Sequence, residues 1–548
     1  MNLNLPGYIK YTTLFLLLYV GFAAKAQVVY ENPKHQIYEF LSRQAQKGNI
    51  DFDDLIQPVS RKQIAMHLVT LQDSIHKLSR IERKELEFYQ KEFSEFNANL
   101  PDSTTWLKKD PAGRLRFLSV KKGDFLLRGD PSFFLGTTRS GNGTAYKKGT
   151  GLQLWGHASK NLSFQAYFQD FTESGKGFDS ARSFTSEPGI VRTESTNRKI
   201  LNYSDFRGNI TYSWSNGAFS IGQDQLLYGY GESGRMILSD KSPAYPFIRL
   251  DYKPLKWLSF NYTHSFLQSN VIDSTRTYSK GNDVYGNNRE AYVPKYMASH
   301  SLTFYPIKGL SVSMGESMIY SDKLEAGYLL PVMFFKVYDQ YASRYKITTG
   351  SNAQFFFQAS SRNHLKNTHL YATLFIDEIR MSEAFNSEKS RNQLGFNFGA
   401  SVTDPGIPYL TIGAEYSRIN PFVYNNLIPA QTYTNQNYTL GDWMGANADR
   451  LMGYVKYTPI PKLKTTLTVQ NTRKGDVGSI KDQYLAEPQP KFLDSYYREV
   501  FQVQFKVSYE WLNNLYFDAN ALWNDDKNDA YPGDKKLKQV QLSVRLGI

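Results

Sequence analysis

The chain alternates apolar and polar residues over most of its length. At its end, the stretch "KQVQLSVRLGI" places Val540, Leu542, Val544, Leu546 and Ile548 on every second position. Because successive side chains of a strand point to opposite faces, this pattern predicts a strand with one apolar and one polar face. In a water-soluble sandwich the apolar face would meet a core, and in a membrane barrel it would meet lipid.

The same alternation recurs in many segments from residue 115 onward. Three examples are "LSFQAYFQDF" (162–171), "LGFNFGASV" (394–402) and "FQVQFKVSYEW" (501–511). A tilted strand needs about 9–11 residues to cross a bilayer, and these segments have that length.

Short and long connections alternate between the predicted strands. Short joints include "ASKN" (158–161), "PIKG" (306–309) and the hairpin signal Asn216-Gly217, whereas 224–246 and 320–350 are long polar segments. Short periplasmic turns and long external loops are typical of outer-membrane barrels. Counting back from the C-terminus predicts an all-β transmembrane barrel of about eighteen antiparallel strands, the first starting near residue 124. A soluble sandwich or propeller would not require this asymmetry, and no blade repeat is visible.

The N-terminal part has a different periodicity. Apolar residues at helical spacing predict three amphipathic helices between residues 28 and 100, two of them preceded by the capping-box residues Ser60/Gln63 and Ser79/Glu82. We therefore expect a small α-helical periplasmic bundle or plug over residues 27–114 and the barrel over 115–548. Residues 1–26, with "LFLLLYVGFA" before "AKA", have the pattern of a cleaved signal peptide and predict export to the outer membrane of a Gram-negative cell.

Composition agrees with an exported barrel. Aromatic residues make up 15% of the chain, there is no cysteine, and the mean hydropathy is −0.48. The formal charge is +13, but the Lys and Arg residues are scattered and form no nucleic-acid-binding motif, so we expect no nucleic-acid partner. Outer-membrane lipid and an acidic polysaccharide are better candidates as partners, and we expect a monomer.

The sequence contains little that indicates catalysis. No nucleophile elbow, phosphate-binding loop or dinucleotide fingerprint occurs in a suitable context, and the histidines form no metal-type pair. We therefore predict no catalytic residue, no cofactor and no metal site. An outer-membrane hydrolase stays open as an alternative, with His264 and Ser265 as its candidate pair.

Two long segments combine glycine, aromatic and charged residues in a way that favours glycan binding. Aromatic rings stack on sugars, and Arg, Asp and Asn hydrogen-bond to hydroxyl or carboxylate groups. The same residues could instead hold a loop folded into the barrel mouth, and this structural interpretation is the stronger one on sequence alone. The candidate glycan-binding residues are Tyr228, Tyr230, Glu232, Arg235, Trp443, Asn447, Asp449 and Arg450.

Several motifs, in this order along the chain, resemble the capsule-assembly Wzi family in its Bacteroidetes form. They are "NPKHQIYEFLSRQAQKGNIDFDDLIQPVSRKQIAMHL" (32–68), "GYGESGRMILSDKSPAYPFIRL" (229–250), "MGESMIY" (314–320), "LLPVMFF" (329–335), "LYATLFIDEI" (370–379), "EYSRINPFVY" (415–424) and "LGDWMGANAD" (440–449).

The resemblance implies an eighteen-stranded outer-membrane barrel with a helical plug at its periplasmic end. It further implies external loops that bind exported polysaccharide in capsule or exopolysaccharide assembly or surface attachment, with no enzymatic activity. An outer-membrane porin for small solutes is the first alternative, and the hydrolase is the second.

Overall fold

The computed structural model describes residues 27–96, 101–191, 199–281, 287–345, 350–378, 386, 392–529 and 535–547. The predicted signal peptide lies outside the described residues. Within the described ranges, eighteen antiparallel strands form a closed barrel, which confirms the predicted fold class. The strands are β1 Phe125–Ser140, β2 Gly143–His157, β3 Leu162–Gly175, β4 Ile200–Trp214, β5 Gly217–Asp224, β6 Tyr245–Leu255, β7 Leu258–Ile272, β8 Tyr292–Phe304, β9 Leu310–Ser321, β10 Asn352–Arg362, β11 Thr368–Glu378, β12 Gln393–Thr403, β13 Leu410–Ile419, β14 Ala448–Tyr457, β15 Leu463–Gly475, β16 Tyr496–Leu512, β17 Leu515–Asn528 and β18 Lys535–Leu546.

The last strand closes the barrel against the first. In this pairing Val544 lies opposite Leu135 and Leu542 opposite Thr137. Val540 and Leu542 are 52% and 54% exposed on the outside of the cylinder. The apolar face of the terminal strand therefore points outward, and its polar face points into the lumen.

The hairpin between β4 and β5 differs from its prediction. Its two-residue turn is Ser215-Asn216, because Trp214 pairs with Gly217 and Tyr212 with Phe219. A β-carbon on Gly217 would lie 2.3 Å from the Trp214 ring, so the ring occupies the space that only glycine leaves. A turn at Asn216-Gly217 would pair Trp214 with Phe219 and Tyr212 with Ile221. The observed register is shifted from this by two residues, so the same side chains remain on one face of the sheet.

Three N-terminal helices form at the predicted places. They are α1 Ile37–Gln46, α2 Arg61–Asp73 and α3 Arg80–Glu92. Ser79 and Glu82 form a complete capping box, while Ser60 accepts a hydrogen bond from the backbone N of Gln63. Their apolar faces pack into one hydrophobic cluster that includes Phe40, Leu68 and Leu86. We call residues 27–96 the helical segment.

The helical segment lies at the barrel end where the short turns are. Its Gln46 donates to Asn367 O at 2.9 Å, and its Asp51 accepts from the backbone N of Gly309 at 3.3 Å. Two further short turns are contacted by hydrogen bonds: Gln27 donates to Ser159 O at 3.3 Å, and Glu85 accepts from the backbone N of Lys462 at 3.1 Å. At the opposite end most connections are long, whereas β1 and β2 are joined by residues 141–142 alone and β17 and β18 by residues 529–534.

Buried ion pairs join the helical segment to a hairpin beside the barrel. Arg61 donates to Glu95 at 2.7 Å and to Glu92 at 3.0 Å, and Glu92 also pairs with Arg116 at 2.9 Å. Burial raises the pKa of Glu92, but the surrounding arginines, Arg116 first, outweigh it and hold that pKa well below its usual range.

The hairpin that these ion pairs reach consists of the strands Ser103–Lys109 and Leu115–Lys122. The second of these strands pairs with β1. The predicted boundary between residues 114 and 115 falls between these two strands. The division into a plug and a barrel domain stays a prediction.

Residues 322–345, which we call the external segment, fold back against the outside of the cylinder. The sequence predicts a long external loop for 320–350 but gives no indication that the loop folds back onto the outer wall. The segment contains a short 3-10 turn, Ala326–Leu329, and helix α4, Phe335–Tyr345. It covers a hydrophobic cluster on the outer wall that includes Tyr262, Tyr320 and Met318.

Small elements complete the described structure. Pairs of two-residue strands are Ile56–Gln57 with Leu227–Tyr228, Tyr278–Ser279 with Asn288–Arg289, and Thr434–Asn435 with Tyr438–Thr439; further short helices are Ile75–Lys77, Ser94–Phe96, Pro429–Gln431 and Asp482–Leu485. None of the helices in the described ranges is long and apolar enough to cross a membrane.

Helix α4 depends on a carboxylate of the barrel wall, and this gives a first prediction. The Glu316 carboxylate accepts from the backbone N of Phe335 at 2.6 Å and of Lys336 at 3.3 Å. Glu316→Ala leaves these N–H groups without an acceptor, at a cost of about 1–3 kcal/mol. We expect hydrogen–deuterium exchange of amides 335–345 to become faster in the purified variant.

Met314→Ala is the matched control, because Met314 lies on the same face two residues earlier and is 43% exposed. We expect it to leave exchange in α4 unchanged. Equal protection of α4 in the Glu316 variant and the parent protein would contradict this role of Glu316.

Candidate functional site

Two long connections fold into the lumen rather than away from the barrel. The first inner loop, residues 225–244, joins β5 to β6, and the second inner loop, residues 420–447, joins β13 to β14. The first inner loop reaches the helical segment, where Tyr228 pairs with Ile56 and the backbone N of Gly229 donates to Leu55 O at 2.9 Å. Gly229 has φ 105°, which glycine adopts without strain.

The two inner loops pack on each other. Trp443 Nε1 donates to Ser233 O at 2.8 Å, and the Tyr424 hydroxyl donates to Met236 O at 2.6 Å. Side chains of both loops and of the neighbouring inner wall form one buried apolar cluster. A hydrophobic core therefore occupies the part of the lumen beside the strands from β6 to β13.

Arg450 joins the two loops to the wall. This fully buried guanidinium donates to both carboxylate oxygens of Asp442, at 3.1 and 2.9 Å, and to Glu415 at 3.3 Å. Glu415 in turn accepts from the Tyr371 hydroxyl at 2.6 Å and from the backbone N of Glu232 at 3.0 Å. The positive charge of Arg450 thus compensates the buried negative charges of Asp442 and Glu415, each of which would be strongly unfavourable in the interior by itself.

Tyr228 and Tyr230 lie in the core of the inner loops. The Tyr228 hydroxyl lies 2.7 Å from Ser313 Oγ, and the Tyr230 ring packs against His369 and Tyr371 at centroid distances of 5.1 and 5.5 Å. Burial raises the pKa of Tyr230 well above its usual value. These positions favour the structural interpretation of both tyrosines.

Asn447 also holds the second inner loop in place, whereas Asp449 lies on the outer face of β14 and bonds to the two neighbouring strands. The Asn447 side chain donates to the carbonyl of Asp476 and accepts from the backbone N of Leu493 at 2.8 Å. Asp449 accepts from Arg473 Nε at 2.9 Å and from the Tyr416 hydroxyl at 3.1 Å. Both residues are nearly fully buried.

Glu232 and Arg235 border open space. They line a luminal cavity of about 440 Å³, which the helical segment, the first inner loop and strands β14–β16 enclose. Glu232 pairs there with Lys456 at 2.7 Å, whereas Arg235 Nε is buried without a hydrogen-bond partner among the described residues. Lys34 and Lys506 also line this luminal cavity.

Two larger cavities, the mouth cavities, lie at the end opposite the helical segment. Their volumes are about 850 and 840 Å³, and Phe184 and Trp443 line both of them. The two rings meet edge to face at 5.3 Å. Trp443 is a predicted residue, whereas Phe184 carries no local signal that marks it in the sequence.

A wall of amide side chains runs from one mouth cavity to the luminal cavity. We call this set the amide wall: Gln470, Gln502, Gln504, Asn520, Asn524, Gln539 and Gln541. Gln470, Gln502 and Gln504 line both cavities. The repeated Q-x-Q of "FQVQF" and "KQVQL" is its sequence signal, because alternate residues share the inner face.

Lys241 of the first inner loop binds the backbone of residues 182–187, which border the mouth cavities. Its ammonium donates to the carbonyls of Thr185 and Glu187 at 2.8 and 2.9 Å and also to that of Arg182. Burial lowers the pKa of Lys241 to about 8. The segment that carries Phe184 is thereby tied to the inner loops.

The candidate hydrolase pair is not assembled. His264 lies on the outer face of β7, where its Nε2 is 2.8 Å from the Tyr320 hydroxyl. Ser265 is the next residue, so its side chain points into the lumen. Among the described residues, no group of three or more His, Asp or Glu side chains is placed to hold a metal ion.

Comparison with known proteins supports the fold. No protein-family model and no curated protein sequence matches the chain. One similar solved structure is Wzi, described as an outer membrane protein involved in group 1 capsule assembly in Escherichia coli and a carbohydrate-binding β-barrel. The TM-score is 0.55 at 14% identity, covering 95% of this chain and 100% of that chain.

Pseudomonas aeruginosa barrels are similar at a lower level. OccK5 (OpdH) has a TM-score of 0.42 at 12% identity over 76% of this chain and 97% of its own. OprD has a TM-score of 0.41 at 11% identity over 82% of this chain and 98% of its own. The likeness to Wzi, at a TM-score of 0.55 and 14% identity, shows that the chain shares the fold of an outer-membrane β-barrel.

The Arg450 network gives a second prediction. Arg450→Ala leaves the Asp442 and Glu415 carboxylates buried without their counter-ion, which costs about 3–5 kcal/mol. We expect a lower melting temperature and new protease cleavage in the second inner loop, measured on detergent-purified protein. Lys91→Ala, which removes an exposed ion pair with Glu87, should cost less than about 1 kcal/mol. Unchanged protease resistance in the Arg450 variant would show that the network does not hold the loop.

Proposed function

We propose that this protein is an outer-membrane barrel that binds exported polysaccharide at its mouth and takes part in capsule or exopolysaccharide assembly or surface attachment. It acts without catalysis, as a monomer that contacts lipid through its outer wall. A signal peptide directs its export, and the helical segment faces the periplasm.

One observation carries the proposal: Phe184 and Trp443 lie between two mouth cavities, each large enough for several sugar units. Ligand sites in proteins commonly have about 300–1,000 Å³. Aromatic rings present an apolar face to the C–H groups of a sugar. Arg498, whose guanidinium lies 4.6 Å from the centre of the Phe184 ring, forms a two-point ion pair with Asp526, and this pair adds polar groups to the wall of one mouth cavity.

The amide wall supports the same ligand class. Each Gln or Asn amide offers both a donor and an acceptor, and so does each sugar hydroxyl. Gln504 Nε2 already donates to Asn520 Oδ1 at 3.0 Å, so the amides hold one another in place. A neutral wall of this kind contacts a polyol without requiring a fixed charge on it.

The first experiment measures binding of purified protein to oligosaccharides cut from the polysaccharide of the native strain. Phe184→Ala removes a ring from both mouth cavities, and we expect an affinity about two- to tenfold lower. Phe398→Ala is the matched control, because Phe398 is 55% exposed on the outer wall, and its affinity should equal that of the parent protein.

Equal affinity of the Phe184 variant and the parent protein would contradict the proposed mouth site. If the parent protein binds none of the oligosaccharides, the proposed function itself fails. Tyr230→Ala is unsuitable for this purpose, because the ring is part of the buried core.

A single-channel recording distinguishes polysaccharide binding from the alternative function as a porin for small solutes. The first inner loop pairs with the helical segment across the lumen, and both contact the wall through many hydrogen bonds. We therefore expect a conductance in planar bilayers far below that of an open porin recorded in the same bilayer. A stable conductance equal to that of the porin would favour solute diffusion as the function.

A further inference from the structure

The outer wall of the barrel carries polar side chains where a lipid-facing belt should be apolar. Glu316 lies mid-way along β9, directly opposite His300 on β8 and Phe355 on β10. The same row of paired residues continues through Tyr262 to Leu250 and Phe219. Directly paired residues share a face, and Phe219 is exposed on the outside, so Glu316 and His300 also point outward.

The external segment buries these polar groups. Glu316 is only 3% exposed, whereas Met314 on the same face of β9 is 43% exposed. His300 Nε2 lies 3.1 Å from the Glu316 carboxylate, and its ring stacks on Phe335 at 4.4 Å. An uncovered carboxylate on a lipid-facing wall would be strongly unfavourable.

The same outward side chains satisfy the backbone of the external segment. The Tyr262 hydroxyl donates to Tyr328 O at 2.9 Å, and His300 Nδ1 lies 2.9 Å from Pro331 O. Glu316 accepts from the N–H groups at the start of α4. Irregular backbone needs such partners at membrane depth, because lipid offers none.

The lengths of the elements place the segment along the wall. From Glu316 to the end of β9 at Ser321 the strand rises by roughly 16 Å, at about 3.3 Å per residue. Helix α4 starts at the level of Glu316 and has 11 residues, which give a length of about 16 Å at about 1.5 Å per residue. The chain thus descends to mid-wall, and the helix returns it toward β10 at the barrel mouth.

The surface that the segment turns away from the barrel is mainly apolar near the start of α4, apart from Lys336, whose side chain is 39% exposed and pairs with Asp339 at 3.5 Å. Val332 is 87% exposed, and Phe334 and Val337 are 52% and 55% exposed near the start of α4. Tyr341, Arg344 and Tyr345 lie near its end, where aromatic and basic residues commonly mark a membrane interface. The exposed side chains continue the belt formed by Met314 and Phe357 on the neighbouring wall.

We propose that the external segment is a re-entrant membrane element that inserts Val332, Phe334 and Val337 among the acyl chains of the outer leaflet. Tyr341, Arg344 and Tyr345 then lie at the headgroup level. This inference rests on the proposed outer-membrane location. It assigns to the segment a lipid contact in place of a role at the polysaccharide-binding mouth.

The absence of cysteine from the chain makes the test direct. Val332→Cys, Val337→Cys and Tyr341→Cys are each labelled with bimane in the full chain and reconstituted into phosphatidylcholine vesicles. Quenching is measured with doxyl-labelled lipids and with aqueous iodide. Phe357→Cys on the bare outer wall is the lipid control, and Leu427→Cys, 47% exposed in the second inner loop, is the water control.

We expect lipid quenching at 332 and 337 to match that at 357, with at least about fivefold less iodide quenching than at 427. Position 341 should be quenched by doxyl groups placed nearer the headgroup. Iodide quenching at 332 and 337 equal to that at 427 would overturn the proposal, and so would protection from both quenchers, which would indicate a protein partner. If position 357 itself is not quenched by lipid, the proposed location of the barrel fails rather than the assignment of the segment.

Discussion

The closed hydrogen-bond ladder is the constraint on which the rest of this structure depends. Once β18 pairs with β1, the eighteen-stranded wall closes on itself, and every residue of the wall must point either outward or into the lumen. Val540 and Leu542 take the outer positions of the last strand, and Gln539 and Gln541 take the inner ones. One alternating stretch therefore supplies both the apolar belt and part of the amide wall.

The lumen that results is too wide to be filled by the inner side chains alone, and the chain fills it unevenly. The two inner loops and the helical segment occupy one part, where Arg450 compensates Asp442 and Glu415. The part beside the amide wall stays open as one mouth cavity and the luminal cavity, which share Gln470, Gln502 and Gln504 in their linings. This asymmetry separates the residues that hold the fold together from those that can meet a ligand.

The outer wall carries a buried polar pair midway along β8 and β9, and the external segment accounts for its burial. Glu316 and His300 are outward-facing polar residues, but they serve as hydrogen-bond partners for a backbone that covers them. Neither the polar pair nor the irregular segment would be stable against lipid by itself, because each would leave polar groups unsatisfied. Together they cover the polar pair with exposed apolar side chains of the external segment.

The strands, their number, the helices and the outward face of the terminal strand could be predicted from the sequence, because each follows from a periodicity of two or 3.6 residues within a short window. The destinations of the long connections could not. Trp443 meets Ser233, 210 residues away, and Tyr424 meets Met236, 188 residues away. Such partners decide that Tyr228 and Tyr230 are buried, that Phe184 reaches the mouth, and that residues 322–345 lie outside the wall. Local patterning determines whether a side chain points outward or into the lumen, whereas only the closed barrel determines which residues that side chain contacts.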